Sequence, residues 1–594
     1  MTDPQKIESL LVADIGSVTT KVGFIDRVGG DFRFVCTGTS MTTTELPTRD
    51  IAVGVRRAIE QIEAHTHRRF LTDDKQLITP DRGTGQGVDA FVALTSAPEP
   101  LRVAIVGLSR ELSVASATRA VAGTYATIET ILALNETSGT VTSVMPGGKP
   151  GATPLAQDPA TIAAGILAKA QPDVIVLVGG IDGGATTPLY ELANLVGAIV
   201  GAREESARPL VIFAGNRDAR SQVAARLGSV AIFRVVDNIR PTLDSENLMP
   251  LERELEAYYN EKKITWLPGL NTLLNWTPVS VMPSARAFEN VVRFLSRRFG
   301  LRVFGADLGG VSTTLVSAHN GAFTRTVRSD LGLGRSLENV VTQSNLARLM
   351  EWLPMEMEPV TARAHWLNHS LHPATIPSTR DETYLMQAAA RVALNKAVRE
   401  SALPTDQVDL ILLSGGVLAH NSNLGSLALV ALDGLQPQGV FTLAVDSLGL
   451  ASAFGALASV NPDAAASLIE RDAFVTLGTV IAPMSNMREG QVDLHVQAKL
   501  ADGTPIDLEV EHGSLEMVPV PQGQKASIEI RLSRGVELPG VQRGVYKADV
   551  EGGALGLIID ARGRPITMPS DIAKCRTKVQ KWYWDIGSGA SNNG

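Results

Sequence analysis

Two segments 293 residues apart follow one plan, and this recurrence constrains the fold more than any other feature of the chain. Asp14-Ile15-Gly16-Ser17-Val18-Thr19-Thr20 and Asp307-Leu308-Gly309-Gly310-Val311-Ser312-Thr313-Thr314 each place an acidic residue at the end of an apolar run, then glycine, then a Thr-rich run. Short apolar runs bounded by glycine read as buried strands. The first segment therefore predicts strands over 10–15 and 19–25, a turn at Gly29-Gly30 and a return over 32–35. The second predicts 303–308 and 312–318, a turn at His319-Asn320-Gly321 and a return over 322–327, with Asn-Gly hairpin chemistry. Self-similarity at so long a spacing argues for two homologous lobes rather than a solenoid. A third apolar run, 410–413, leads into Ser414-Gly415-Gly416.

The 594 residues allow about four units at roughly 150 residues each. Between the two hairpins the texture alternates: a strand over 101–107, helical pattern over 115–134, and a Gly/Pro/Ser/Thr-rich loop over 138–160. Apolar runs follow at 174–178, 210–214 and 230–235, separated by helical stretches such as 188–200. That is the pattern of parallel crossover units inserted into the first lobe. From about residue 462, short alternating runs (492–497, 506–510, 526–532, 554–560) predict a small β-rich end. The expected layout is residues 1–97 as the start of the first lobe and 98–245 as an inserted α/β domain. Residues 246–461 complete the core with the second lobe, and 462–594 form a C-terminal β-rich domain.

Composition removes several classes. Fifty-four basic against 62 acidic residues give a formal charge of −8, which offers no footprint for nonspecific nucleic-acid binding. Two cysteines, Cys36 and Cys575, make neither a disulfide framework nor a CxxC metal pair. The apolar run 10–13 stops at Asp14, short of a signal h-region, and no apolar stretch reaches spanning length. The expectation is a soluble cytoplasmic protein with no membrane contact, and a homo-oligomer is left open.

A hairpin opened by Asp-x-Gly has a chemical use. Backbone N–H groups in a glycine turn cradle phosphate oxygens, with Ser and Thr hydroxyls as further donors. The candidates are Gly16, Ser17, Thr19 and Thr20 in the first loop, and Gly309, Gly310, Ser312 and Thr313 in the second. Lys21 reaches phosphate as a point charge, and Asp14 holds water around Mg2+. Asp307 orients the attacking water and the metal, so Asp14 and Asp307 are both the catalytic and the metal-binding candidates. Gly415 and Gly416 let the chain pass flat against adenine or ribose. Either hairpin alone reads equally as an ordinary strand and turn. Two of them on opposite lobes would clamp a triphosphate from both sides.

Three further features carry less. Gly179-Gly180-Ile181-Asp182-Gly183-Gly184 follows a strand but lacks a GxGxxG spacing, so a tight strand–helix turn is favoured over an anion site. No Asp-x-His-x-x-Gly segment occurs in the inserted region, so no cobalamin-ligating histidine is expected. His65 with His67, and His365, His369 and His372, lack partner ligands at metal spacing and read as surface histidines. The tail Lys578-Val579-Gln580-Lys581-Trp582-Tyr583-Trp584 is expected to be an aromatic strand of the β-rich end.

The three glycine motifs, in this order, resemble the phosphate-1, phosphate-2 and adenosine motifs of the actin, Hsp70 and sugar-kinase ATPase superfamily. Gly449-Leu450-Ala451-Ser452-Ala453-Phe454-Gly455-Ala456-Leu457 is similar to its lobe-connecting helix. The implied fold is α/β: two actin-like, ribonuclease H-like lobes with an inserted α/β domain and the C-terminal β-rich domain. Within the superfamily, Leu11 to Lys21, Ile105-Val106-Gly107-Leu108, Val178 to Gly184 and Gly305 to Gly310 look most like the MutL/GlmL proteins associated with glutamate mutase. The resemblance implies a Mg-ATP-dependent ATPase that serves as accessory or reactivating chaperone of an adenosylcobalamin-dependent mutase. A small-molecule kinase on the same scaffold and a nucleotide-binding actin-like scaffold stand as alternatives.

Overall fold

The computed structural model describes residues 7–83, 85–134, 141–144, 151–152, 159–401, 403–419, 423–541 and 544–588. Two compact units emerge. The first is Met1–Ala97, Leu267–Arg325 and Asp330–Gly594; the second is Pro98–Trp266 with Thr326–Ser329.

The first unit opens with β1 (Leu10–Ile15), β2 (Thr19–Val28) and β3 (Asp31–Met41), a meander, followed by β4 (Ala90–Thr95). β1 pairs antiparallel with β2 from Leu10↔Ile25 to Ile15↔Thr20, and parallel with β4 on its other edge. Helix Ile51–Thr66 packs on β3 and β2. Its buried residues Ile51, Val55, Ala58, Ile59 and Ile62 recur at helical spacing, and Asp50 caps it by accepting the Ala52 N–H at 2.8 Å.

The chain then leaves for the second unit: β5 (Leu101–Gly107), β6 (Ala126–Leu134), β7 (Val174–Val178), β8 (Leu210–Phe213) and β9 (Ile232–Val235). All five are parallel in the order β9-β8-β7-β5-β6, around a separate core of Ile175, Leu177, Leu192, Val196, Val211 and Phe213 among others. This is the crossover architecture expected. Two details differ. Residues 126–134 form a strand, not the end of a helix: the helix stops at Ala122, and the β-branched Thr127, Ile128, Thr130 and Ile131 pair along β5. The unit also runs past residue 245 to Trp266. Helix Met249–Tyr259 packs on helix Ala115–Ala122, and Tyr259 lies edge-on to Tyr125 at 5.4 Å. Most of the loop expected over 138–160 lies outside the described residues. Its described parts are short strands, Val141–Val144 and Gly151–Ala152, and the start of helix Pro159–Ala170.

Back in the first unit, the two-residue β10 (Met282–Pro283) pairs parallel with β4, and α1 (Ser284–Phe299) leads to the second lobe. There β11 (Val303–Leu308), β12 (Thr313–His319) and β13 (Ala322–Arg328) repeat the meander. β14 (Leu410–Ser414) and β15 (Gly439–Asp446) then add in parallel. The first lobe reads β3-β2-β1-β4-β10 and the second β13-β12-β11-β14-β15. One ribonuclease H-like order is thus laid down twice, which is the actin-like α/β fold. After β15, α2 (Ala451–Leu457) crosses back to pack on β1 and β4, while α1 packs on β11 and β12. The helices touch backbone to backbone: a Cβ on Gly455 would stand 2.0 Å from the Ala287 carbonyl oxygen.

The end of the chain is β-rich as expected, yet it belongs to the first unit. β16 (Phe474–Ala482), β17 (Leu515–Val518) and β18 (Leu557–Asp560) extend the second-lobe sheet in the order β15-β16-β18-β17. A separate four-stranded sheet holds Pro505–Glu511, Val492–Lys499, Lys525–Leu532 and Val545–Glu551. The tail is α3 (Ile572–Asp585), a helix and not the strand expected. Asp571 caps it, and Cys575, Val579, Trp582 and Tyr583 form a buried stripe at helical spacing. Among the described residues, no helix is long and apolar enough to cross a membrane.

Candidate functional site

β1 and β11 end alike, so the two glycine loops are built alike. The Gly16 N–H donates to Thr19 O at 3.0 Å and the Gly309 N–H to Ser312 O at 2.8 Å, closing equivalent turns. Thr42 braces the first loop, donating its N–H to Val18 O and its hydroxyl to Gly16 O at 2.8 Å. Leu333 and Gly334 brace the second, donating to Gly309 O and Gly310 O. The tips meet: a Cβ on Gly310 would lie 2.7 Å from Val18 Cγ2 and 3.1 Å from Ser17 Oγ. The third motif closes in from β14. Gly415 takes φ +104°, and a Cβ there would sit 2.1 Å from the Leu308 carbonyl oxygen, so only glycine fits.

Three carboxylates and one ammonium occupy the ground behind these tips. Asp14 faces Lys21 across the β1–β2 register, and Asp307 lies beside Ser414 across β11–β14. Asp14 and Asp307 keep some accessible surface, whereas Lys21 is 9% and Asp446 0% exposed. Burial pushes the Asp14 carboxyl up to about 6; Lys21 opposes this, Asp446 adds to it, and Ser284 Oγ at 3.5 Å opposes it slightly. Burial, then the charges of Asp14 and Asp446, push Asp307 up to about 7 against the pull of Lys21. Asp446 is also raised by burial, although Ala451 N–H, Ser414 Oγ–H and Leu450 N–H all favour its ionised form. Lys21 Nζ donates to Gly449 O at 3.4 Å.

The residues singled out from sequence separate into two groups. Ser17, Thr19, Ser312, Gly310 and Gly16 are at or beside the facing tips, with Asp14, Asp307 and Lys21 behind them. Thr20 and Thr313 are fully buried, and their hydroxyls are engaged by Thr42 Oγ1 at 2.9 Å and Leu331 O at 2.6 Å. These two threonines hold the hairpins together. Gly416 opens the short helix Gly416–Ala419. Asp446 was not picked out. Its signal, an acid ending an apolar strand three residues before Gly449, is looser than Asp-x-Gly and lacks the Thr-rich return. Among the described residues, no group of three or more His, Cys, Asp or Glu is arranged to hold a metal ion. His65, His67, His365 and His372 are exposed; His369 is half-buried on helix Pro359–Leu371 and its burial lowers its pKa.

A family described as MutL protein matches residues 10–473, which covers both lobes and the inserted unit and stops one residue before β16. The chain belongs to the MutL protein family. Protein MutL of Clostridium tetanomorphum is 23% identical over 510 residues, covering 78% of this chain and 99% of that relative. Similar solved structures include a nucleotide-free acetone carboxylase (13% identity, TM-score 0.32, covering 86% of this chain and 81% of that one). A glycerol dehydratase reactivase has 13% identity and TM-score 0.28, covering 76% and 99%. Component A of Acidaminococcus fermentans (R)-2-hydroxyglutaryl-CoA dehydratase has 10% identity and TM-score 0.27, covering 77% and 99%.

Proposed function

We propose that this chain is a Mg-ATP-dependent ATPase whose lobes clamp a nucleotide between the two glycine loops. The observation that carries the reading is the meeting of the tips, with Gly310 against Val18 and Ser17, directly in front of Asp14 and Asp307. The Gly16 and Gly309 N–H groups are spent inside the turns. The donors left for phosphate are therefore the following residues of each tip, with the Ser17, Thr19 and Ser312 hydroxyls beside them.

The donor set fits magnesium in a particular way. Two partly accessible carboxylates, with no third His, Cys, Asp or Glu grouped with them to hold a metal among the described residues, suit an ion that keeps its water and takes its remaining ligands from phosphate oxygens. Magnesium bound there would neutralise charge developing on the phosphates. Lys21, already among the carboxylates, lies within reach to add a second positive charge. Asp307, partly accessible at the end of β11, is placed to orient the attacking water.

The partner proposed is an adenosylcobalamin-dependent mutase, which the chain would serve as accessory or reactivating factor; membership of the MutL family supports this. The test is ATP hydrolysis measured alone, then with a small-molecule acceptor, then with intact or inactivated mutase. Hydrolysis stimulated by inactivated mutase is expected. Acceptor-dependent phosphoryl transfer would instead establish a kinase, and binding without turnover a scaffold. Asp307→Ala should keep nucleotide binding and lose most turnover. Failure of any adenine nucleotide to associate with the folded protein overturns the reading.

A further inference from the structure

Asp446 has no assigned part in nucleotide chemistry, yet it lies at the junction of three elements that meet at the site. It ends β15 and is fully buried. Its Oδ2 accepts the Ser414 hydroxyl at 2.8 Å and the Ala451 N–H at 2.9 Å, while Oδ1 accepts the Leu450 N–H at 3.2 Å. One carboxylate thus ties the residue preceding Gly415 to the N-terminus of α2. The turn it closes includes Gly449, whose N–H donates back to Asp446 O at 3.3 Å and whose carbonyl accepts Lys21 Nζ. The charge of Asp446 also reaches Asp14 and Asp307.

Towards its other end α2 crosses α1. Gly455 lies against the Ala287 carbonyl of α1, and Gly455 O accepts the Asn290 amide at 3.3 Å. α1 itself begins at Ser284, within 3.5 Å of Asp14. Both connecting helices are therefore anchored at their N-termini to the carboxylate cluster, and they cross a few residues further on, where Gly455 lies against the Ala287 carbonyl and the Val291 side chain. Close backbone packing of this kind transmits a displacement rather than absorbing it.

We propose that Asp446 is a positioning residue: it fixes the start of α2 relative to the Ser414–Gly415 turn, so that a change at Lys21 and Asp14 is passed to the α1–α2 crossing and alters the angle between the lobes. This rests on the nucleotide reading above and goes beyond it by naming the link between site and lobe movement. Asp446 touches no reacting atom in this account. Its effect runs through the helix it holds.

The experiment separates that link from simple helix capping. Asp446 lies four residues before the N-cap Leu450 and holds the helix start through Oδ1 and Oδ2, so Asp446→Asn keeps the shape and one acceptor oxygen while removing the charge, and Asp446→Ser removes the reach to Leu450 and Ala451 as well. Spin labels are placed at the exposed positions Arg57→Cys in the first lobe and Arg399→Cys in the second, with Cys36 and Cys575 replaced by Ser. The distance between labels is measured without ligand and with Mg-ATP. The proposal expects both variants to unfold cooperatively at a somewhat lowered melting temperature, to keep Mg-ATP affinity within about threefold of the parent, to lose the Mg-ATP-dependent distance change, and to turn over roughly 10- to 100-fold more slowly. Gly455→Ala, which wedges the crossing apart, should reproduce the lost distance change. A variant that shifts like the parent overturns the proposal, and so does one that no longer binds Mg-ATP, because Asp446 would then be a binding residue. If the parent itself binds no Mg-ATP, the nucleotide reading fails. The ligand-free distances then decide separately: an altered distribution in Asp446→Asn keeps the positioning role, and an identical one removes it.

Discussion

Ionising Asp307 inside a cluster that already holds Asp14 and Asp446 costs free energy that an unfolded chain does not spend. The sign follows from its carboxyl, raised to about 7 from a usual value near 3.8. Below pH 4 both folded and unfolded states hold the proton and no penalty exists. Between pH 4 and 7 the unfolded state loses its proton first, and stability falls; above pH 7 the penalty is complete. Asp307→Asn should therefore leave nucleotide-free stability unchanged near pH 4 and raise it at pH 8 by on the order of 1–3 kcal/mol. Urea unfolding at the two pH values measures this, and equal effects at both would show that the charge is not what strains the site. At this scale the sequence is informative only where the pattern is tight. Asp14 and Asp307 are legible because each stands one residue removed from a glycine, as Asp-x-Gly, and a Thr-rich strand follows. Asp446 is not, because what makes it part of the site is a long-range meeting of the end of β15 with Ser414 and the start of α2. The deep burial of Thr20 and Thr313 is equally invisible, since alternation along a strand gives the face a residue takes but not what covers that face.

The elements most legible from sequence are those whose local signals agree. The two meanders combine strand-length apolar runs with glycine or Asn-Gly turns, and they fall where expected. Residues 126–134 and α3 mislead for opposite reasons. The first is an apolar run without a period decisive for either state. The second is helical through a stripe, Cys575 to Tyr583, that begins before the aromatic residues which suggested a strand. The facing loop tips give a sharp test at this scale. Gly310→Ala adds a methyl 2.7 Å from Val18 Cγ2, so the tips must part. Stability should change by less than about 1 kcal/mol at so peripheral a site, while affinity for Mg-ATP should fall by roughly tenfold or more. Adding Val18→Ala removes the obstructing methyl and should restore binding in a fluorescent-nucleotide titration. Weak binding that persists in the double variant would mean the distance between tips is not what matters.

For the whole molecule, the β-rich end is fused to the second lobe by more than its shared sheet. Arg391, Asp433, Arg562, Asp560 and Arg564 form a fully buried chain of ion pairs at 2.7, 2.7, 2.8 and 2.6 Å, running from helix Arg380–Ser401 through helix Leu424–Leu435 to the end of β18. The Arg562 and Arg391 guanidiniums also lie over Trp582 and Tyr583 of α3. Asp433→Ala leaves Arg391 without its carboxylate and should cost about 3–5 kcal/mol in urea unfolding. The double change Asp433→Leu with Arg391→Met should recover most of it, since an apolar pair carries no uncompensated charge. A single variant as stable as the parent would show that the chain of charges does not bind the two parts. Such long-range pairing is invisible to sequence texture, which alone suggested a separate domain here; the inserted unit runs past 245 because helix Met249–Tyr259 packs back on Ala115–Ala122, a contact equally hidden in the sequence.

That inserted unit sets the timetable of synthesis. On the ribosome, β4 emerges with its outer edge bare, because the strand that covers it, Met282–Pro283, is translated only after all of Pro98–Trp266. The insertion has its own hydrophobic interior, and both its sheet and the helix that completes it, Met249–Tyr259, are made before Met282–Pro283. The two acid-led hairpins can meet only once the second, Val303–Arg328, has been made, with the whole of Pro98–Trp266 already synthesised between them.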